Sequence, residues 1–212
     1  MPTLPLRRIG ILAAVLLLAS FAREADAGPR SRPIRTGQTT CWDTAGAVIP
    51  CAGTGQDGDL KPGEPRSYLD NGDGTIRDKR TALTWEKLSN DGSIHDKDNA
   101  YTWAEAFGKI DDLNMAGFAG FTDWRLPSVT ELETITNRGA VLPAVSAAFN
   151  TSCGAGCTVL TCSCTLSSSM ITWSSSSYVN DPDNAWLVNF FDGTAYTAMK
   201  TDSNRVRAVR GG

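Results

Sequence analysis

The chain has 212 residues, of which 41% are hydrophobic and 20% charged, and its formal net charge is −3 at pH 7. This composition is ordinary for a globular domain and excludes a disordered or fibrous chain. The net charge is slightly negative and the sequence has no basic run, so we predict no nucleic-acid partner. The same charge disfavours tight binding of sulfated polysaccharides, although the sequence does not exclude a local basic patch.

The first residues have the pattern of an export signal. Two arginines precede an uninterrupted apolar run over residues 9–19, and a small-x-small cleavage site ends at Ala27. We therefore predict a signal peptide over residues 1–27 and a periplasmic or secreted protein, with a cut after Ala22 as the alternative. The run is too short to span a bilayer comfortably, so no membrane anchor is expected after cleavage.

Six cysteines in an exported chain favour disulfides. Cys41 and Cys51 flank a turn signal and are predicted to staple a local hairpin. The other four lie within one loop, at Cys153, Cys157, Cys162 and Cys164. They allow three connectivities, and the sequence does not choose among them. Zinc or an iron–sulfur cluster would suit these spacings only in a reducing compartment.

Residues 28–66 have too little apolar content for a core and form an N-terminal extension that we expect to pack on the domain at residues 67–212. That domain begins with Asn71-Gly72-Asp73-Gly74, whose residue types suit calcium but whose spacing does not fit an EF-hand loop. Asn-Gly and Asp-Gly instead predict a tight hairpin. Its strands are expected at residues 68–69 and 75–78, with a third strand at residues 83–87.

Two capping boxes mark helix starts. Thr102 with Glu105 begins an amphipathic helix, in which the helical spacing of Trp103, Phe107 and Ile110 predicts that Trp103 faces the core. This helix is expected to end near residues 114–117.

The second capping box is formed by Ser128 and Glu131. The helix that begins there is expected to run to about Arg138 and to stop at Gly139.

Short strands close the chain. They are predicted at residues 171–174, 185–191, 194–200 and 205–210. In the last of these, Val206 and Ala208 alternate with Arg205 and Arg207, the period of a sheet with one buried face. Helices early and antiparallel strands late predict an α+β fold.

Catalytic candidates are few. His95, the only histidine, lies in a polar loop, where we expect it to be solvated. Nucleophilic chemistry by the serines at residues 174–177 would need a base within hydrogen-bond reach, and none is apparent. We therefore predict no catalytic residues and a protein that is not an enzyme.

A resemblance runs in order from about residue 70 to the C-terminus. Its segments are Leu83-Thr84-Trp85, Thr102-Trp103, residues 123–132, Trp173-Ser174-Ser175, Ala185-Trp186 and residues 206–212. Together they resemble the Lcl C-terminal domain family, which is named after the end domain of the Legionella collagen-like adhesin. The family resembles C-type-lectin-like and formylglycine-generating-enzyme-like folds, which implies two helices beside a small twisted antiparallel sheet with long loops.

The chain departs from the family pattern at three places. Thr81-Ala82 stands where the family often has Thr-Gly, Ala208 stands where it often has Cys, and the segment from Cys153 to Cys164 replaces a shorter loop. The collagen-like repeats of the adhesin do not occur in this sequence.

The resemblance implies a secreted or periplasmic binding module for a glycan or a cell-surface partner. Sugars stack on rings and are read by hydrogen bonds, which makes loop aromatics and carboxamides the candidate contacts. These are Tyr178, Asn180, Asn184 and Tyr196. No cofactor is expected, with one weak exception. Asp181, Asp183 and Asn184 offer oxygen ligands for calcium, although a turn explains them equally well.

The alternative implied by the resemblance is an oxidase similar to the formylglycine-generating enzymes. Those enzymes depend on a reactive cysteine pair late in the domain, whereas no cysteine follows Cys164 here. This alternative therefore requires a free, low-pKa thiol in the loop from Cys153 to Cys164.

Large aromatics and their polar neighbours in the resembling segments are the expected structural core. They are Trp85, Trp103, Trp124, Arg125, Glu131, Trp173, Trp186 and Arg207. An arginine beside aromatics usually pairs with a carboxylate or stacks on a ring, and Glu131 or Glu133 is the expected partner of Arg125.

Overall fold

The computed structural model describes residues 33–212, which form one compact unit. The predicted signal peptide and residues 28–32 of the extension lie outside the described residues. The helices are α1 (Asp57–Leu60), α2 (Trp103–Met115) and α3 (Val129–Ile135). The strands are β1 (Cys41–Trp42), β2 (Val48–Ile49), β3 (Tyr68–Asp70), β4 (Thr75–Asp78), β5 (Thr84–Glu86), β6 (Ile171–Ser177), β7 (Asn184–Asn189), β8 (Thr194–Met199) and β9 (Val209–Arg210).

The strands form three small antiparallel sheets. One is the β1–β2 hairpin, one has four strands in the order β3-β4-β5-β9, and one has three strands in the order β6-β7-β8. Because helices and antiparallel sheets are separate along the chain, the predicted α+β class is confirmed.

The N-terminal extension packs on the loop that follows α3. A Cβ built on Gly139 would lie 2.0 Å from the carbonyl oxygen of Gly37, so only glycine allows this close approach. The backbone N–H of Arg138 donates to the carbonyl of Thr36 at 2.8 Å, and the Arg66 guanidinium donates to the carbonyls at the end of α3.

The predicted β3–β4 hairpin is confirmed, with Tyr68 paired to Asp78 and Asp70 to Ile76. The Asp70 carboxylate accepts hydrogen bonds from within the hairpin and from a residue that follows β5. Asp70 accepts from the backbone N–H of Gly72 at 2.9 Å and from the Lys87 ammonium at 2.7 Å. The Asp70 carboxylate therefore stabilises the hairpin.

Both predicted capping boxes are present. The Thr102 hydroxyl accepts from the N–H of Glu105, and the Glu105 carboxylate accepts from the N–H of Thr102. Ser128 and Glu131 repeat this exchange at α3.

The prediction that α3 reaches Arg138 is wrong, because the helix ends at Ile135. Thr136 has extended backbone geometry and forms a bridge with Val145, so pairing with another segment replaces the last helical turn.

Two hydrophobic clusters fill the interior. The first contains Ile76, Leu83, Trp85, Leu132, Ile135, Val145, Phe149, Met170, Val188, Phe190 and Val209. The second contains Ala106, Ile110, Leu113, Trp124, Leu126, Trp173, Ala185, Leu187, Val206 and Ala208.

The aromatic side chains predicted for the core fall into two groups. Trp85, Trp124 and Trp173 are buried, whereas Trp103 and Trp186 are only half-buried. Ile110 is buried and Trp103 packs against the second hydrophobic cluster, as the predicted phase of α2 requires, whereas Phe107 is exposed and lies outside the inward stripe. The stripe of α2 that faces inward instead includes Lys109.

Disulfides close both cysteine-containing segments, as predicted. Cys41 pairs with Cys51, which staples the β1–β2 hairpin. In the later loop, two bonds select one of the three connectivities, joining Cys153 to Cys164 and Cys157 to Cys162.

The chain end departs from the predicted alternation. Val206, Arg207, Ala208 and Val209 are all buried, and only Val209–Arg210 forms a regular strand. The Arg207 side chain crosses the interior to donate to the carbonyl of Cys164 at 2.7 Å, so it ties the chain end to the disulfide loop.

Candidate functional site: a loop surface at one end of the domain

The turn between β6 and β7 is held by its own backbone. The N–H of Tyr178 donates to the carbonyl of Asn184 at 2.9 Å, and the N–H of Asn184 donates to the carbonyl of Asp181, also at 2.9 Å. The Asn184 amide donates to the Asp181 carboxylate at 2.5 Å. This network fixes the turn in one conformation, which lowers the entropy lost when a ligand binds.

The N-terminus of α2 lies against the same turn. The N–H of Trp103 donates to the carbonyl of Lys200 at 3.0 Å, and its indole N–H donates to the carbonyl of Ser174 at 2.9 Å. The Lys200 ammonium lies 4.2 Å from the centroid of the Trp103 ring and donates to the Ser177 hydroxyl at 2.7 Å. The backbone N–H of Lys200 also donates to the carbonyl of Asp183.

These contacts assemble a surface, here called the turn face, from three parts of the chain. Its residues are Trp103, Ser177, Tyr178, Asn180, Asn184 and Lys200. It combines aromatic rings, carboxamides, a hydroxyl and an ammonium group, which are the groups that bind polar ligands with apolar faces.

Three of the four predicted contact residues lie on the turn face. Tyr178 packs edge-on against Trp186 with ring centroids 5.5 Å apart, and the Asn180 amide donates to the Tyr178 hydroxyl at 3.2 Å. Tyr196 does not join them. It pairs with Leu187 in the β7–β8 ladder and therefore points to the opposite side of the sheet from Trp186, toward the second hydrophobic cluster.

Two of the three calcium candidates in the turn contact each other, and the third is held by its backbone. The Asn184 amide nitrogen, rather than its oxygen, faces the Asp181 carboxylate, and Asp183 meets Lys200 through its backbone. Among residues 33–212, the one group of three potential metal-ligating side chains is Cys153, Cys157 and Cys164. Their sulfur atoms are close because two disulfides lie side by side.

A buried charged cluster, which was not predicted from the sequence, lies between β5, α2 and the end of the chain. The Glu86 carboxylate receives the Lys109 ammonium at 2.9 Å, the backbone N–H of Ala208 at 2.8 Å and the ring nitrogen Nδ1 of His95 at 2.8 Å. The expectation that His95 is solvated is wrong, because its ring also packs on Phe118 with centroids 4.3 Å apart.

Burial and charge shift the pKa values in this cluster in different directions. Burial alone would raise the pKa of Glu86, but the charge of Lys109 and the hydrogen bonds from His95 and Ala208 outweigh it and lower the pKa to about 2. Burial lowers the pKa of Lys109 although Glu86 opposes the change, and burial lowers that of Arg207 to about 10. We infer that Glu86 and Lys109 are both ionised at neutral pH, since neutralising either would strand the other.

The serines at the end of β6 are engaged with the fold. The hydroxyl of Ser174 donates to the carbonyl of Trp186 at 2.6 Å, and that of Ser175 donates to the carbonyl of Pro127 at 3.2 Å. The hydroxyl of Ser176 accepts from the N–H of Val129. Ser175 and Ser176 thus hold the sheet to the start of α3, whereas Ser174 bonds within the sheet.

The oxidase alternative needs a free thiol, and the structure contradicts it on that point. All six cysteines of the chain lie within the described residues, and each is in a disulfide. A disulfide sulfur is not a thiolate, so the loop from Cys153 to Cys164 holds no nucleophile in this state.

The fold and the loop surface define a class of protein: a disulfide-linked α+β domain that carries its rings and hydrogen-bonding groups on loops. The family model of the Lcl C-terminal domain matches residues 74–210 of the sequence, and the chain belongs to this family. The family takes its name from a Legionella collagen-like adhesin and is not a known enzyme family, so membership indicates an adhesion-related module.

A search of curated proteins gave no match. In the part of the chain that the structure describes, no helix combines the length and the apolar character required to cross a membrane. Three disulfides are consistent with an exported protein.

Proposed function

We propose that this protein is an exported, non-enzymatic recognition module, secreted or periplasmic, that binds a cell-surface glycan through the turn face. The observation that carries the proposal is the assembly of Tyr178, Asn180 and Asn184 with Trp103 and Lys200 at one end of the domain. A protein partner on the same face is the alternative outcome of the test below.

The chemistry of these groups supports a glycan. A pyranose presents C–H groups on its faces and hydroxyls at its edge, so it is bound by a ring together with amide donors and acceptors. Tyr178 is positioned by Trp186, and Asn180 is exposed on the rigid turn, where its amide is accessible. The family name also favours adhesion over catalysis.

The test is binding of the purified protein to a panel of glycans and glycosaminoglycans, with and without calcium and at two salt concentrations. A specific glycan hit would support the proposal, and its salt dependence would separate charge from stacking. Dependence on calcium, with a rise in melting temperature at millimolar calcium, would support the weaker proposal of an ion at Asp181, Asp183 and Asn184.

Variants connect the hit to the turn face. Replacing Tyr178 and Asn180 with alanine should weaken binding about tenfold, because a stacking ring and a directed amide are lost. Val179→Ala is the matched control, since Val179 is 85% exposed in the same turn. Unchanged binding by the double variant would refute the turn face as the site, and a blank panel with capture of a cell-surface protein would replace the glycan with a protein partner.

A further inference from the structure

A second surface lies where the N-terminal extension meets the domain. It is a groove of about 290 Å³, here called the extension groove, lined by Gln38, Thr39, Thr40, Trp42, Arg138, Gly139, Ala140, Val141 and Asp192. One wall comes from residues before the family match and the other from within it. The groove therefore exists only because the extension is docked.

The docking that forms the groove is a close backbone contact. Gly139 and Gly37 are in backbone contact, and the Arg138 N–H is bonded to the carbonyl of Thr36. On the other side, a Cβ added to Gly193 would lie 2.6 Å from Thr136, so the β7–β8 turn packs closely on the end of α3. Asp192 and Arg138 both line the groove.

The groove presents an exposed indole. Trp42 is 41% exposed although tryptophan is normally among the more buried residues, and it projects from a hairpin closed by the Cys41–Cys51 disulfide. Val48, paired with Trp42 across the hairpin, is also exposed. The part of the Trp42 indole that is open to solvent offers an aromatic face on which a ligand can stack.

Polar groups with unused hydrogen-bonding capacity lie beside the indole. The two hydrogen bonds that Asp192 accepts from Thr194 both end on Oδ1. Arg138 bonds Glu133 through Nη2, which leaves its Nε and Nη1 without a partner in the described part of the chain. The groove thus offers one acceptor, one forked donor and an aromatic face.

We propose that the extension groove is a second saccharide site, which takes a neutral pyranose unit stacked on Trp42 with its hydroxyls bonded to Asp192 and Arg138. A neutral sugar fits because Asp192 and Glu133 together outweigh the single charge of Arg138. The ligand class rests on the proposed function, whereas the location does not involve the turn face.

The experiment records the indole N–H signals of the six tryptophans by NMR while the whole purified protein is titrated with neutral oligosaccharides. The probes are cellohexaose, chitohexaose, maltohexaose and mannohexaose, with hexagalacturonate as an acidic counterpart. At least one neutral probe should shift the Trp42 signal, which is assigned from Trp42→Phe. Trp42→Ala should weaken that binding about tenfold, and Trp42→Phe should weaken it less because a ring remains.

Val48→Ala is the matched control, since it removes an exposed apolar side chain from the same hairpin and should leave binding unchanged. The inference is overturned if no neutral probe moves the Trp42 signal, if only hexagalacturonate moves it, or if Trp42→Ala binds like the wild type. The two sites are separable. If the Tyr178/Asn180 double variant loses binding and Trp42→Ala does not, the turn face is retained as a site and the groove is rejected. If Trp42→Ala loses binding and the double variant does not, the groove is retained and the turn face is rejected.

Discussion

Glu86 is the residue whose replacement tests the structure most directly. Its carboxylate accepts from Lys109, His95 and the backbone of Ala208 at the centre of the domain. Glu86→Gln keeps the size of the side chain but removes its charge, which leaves the fully buried Lys109 ammonium without a counter-ion. Breaking a buried ion pair from one side typically costs about 3–5 kcal/mol.

The pKa values set the pH dependence. Lowering the pKa of Glu86 from 4.5 to about 2 on folding is equivalent to about 3 kcal/mol in favour of the folded state. Because the folded pKa lies below the unfolded one, this contribution is fully present above pH 4.5 and is lost as the pH falls toward 2. The lowered pKa of Lys109 acts against it, so the net contribution of the pair is smaller than that of Glu86 alone.

The assay is chemical denaturation of the oxidised protein at pH 7 and at several values down to pH 3. The variant should lose about 3–5 kcal/mol at pH 7. Its deficit should shrink on acidification, because below pH 4.5 the unfolded wild type binds a proton at Glu86 that the folded wild type does not bind. Adding Lys109→Met should restore part of the loss, since it removes the stranded ammonium.

Glu133→Gln is the matched control for this assay. It breaks a surface pair with Arg138, whose side chains are 43% and 40% exposed, and should change stability by less than about 1 kcal/mol. If Glu86→Gln unfolds within about 1 kcal/mol of the wild type at pH 7, then the central pair is not coupled as the geometry indicates.

Three further variants probe the packing, the loop crosslink and the docked extension. Trp124→Ala removes a 3%-exposed indole and its hydrogen bond to Phe118, and should cost about 3–5 kcal/mol in thermal or denaturant unfolding; a wild-type melting curve would contradict this burial. Removing the Cys157–Cys162 disulfide with two alanines should cost about 2 kcal/mol, as its loop is short, and a loss above about 4 kcal/mol would show that the bond also holds the fold outside the loop. Gly139→Ala should release the extension, detected as faster amide hydrogen exchange before residue 60, and unchanged protection would refute the close backbone contact.

Local signals predicted local structure well. The capping boxes that begin with Thr102 and Ser128, and the hairpin at Asn71-Gly72, were all predicted correctly. The capping boxes and the turn of the hairpin depend on hydrogen bonds between residues at most four positions apart. The end of α3 was mispredicted because Thr136 pairs with Val145, a partner that no local rule can supply.

The buried charges could not be predicted from strand alternation. With Trp85 facing inward, alternation places Glu86 outward, but all three residues of β5 are buried because β5 lies between β4 and β9 and α2 covers its other face. One signal was present in the sequence: Lys109 lies in the same helical stripe as Ala106 and Leu113. A lysine in an apolar stripe indicates a buried acidic partner, although not its identity.

The turn face was predicted only in part for a similar reason. Tyr178, Asn180 and Asn184 are neighbours along the chain, so their shared location follows from the turn. Trp103 reaches the same place from α2, and its indole donates to a carbonyl 71 positions away. Tyr196 was placed with them because its strand was predicted without its register, and register decides the face on which a side chain lies.

The location of the stabilising groups explains how such a domain can carry recognition on its loops. Glu86 and Lys109 join β5 to α2 in the interior, and Arg207 joins the chain end to the disulfide loop. None of these three side chains lies on the turn face or in the extension groove. Substitutions at Tyr178 or Trp42 therefore leave the framework intact, and their effects on binding are expected to occur at nearly constant stability.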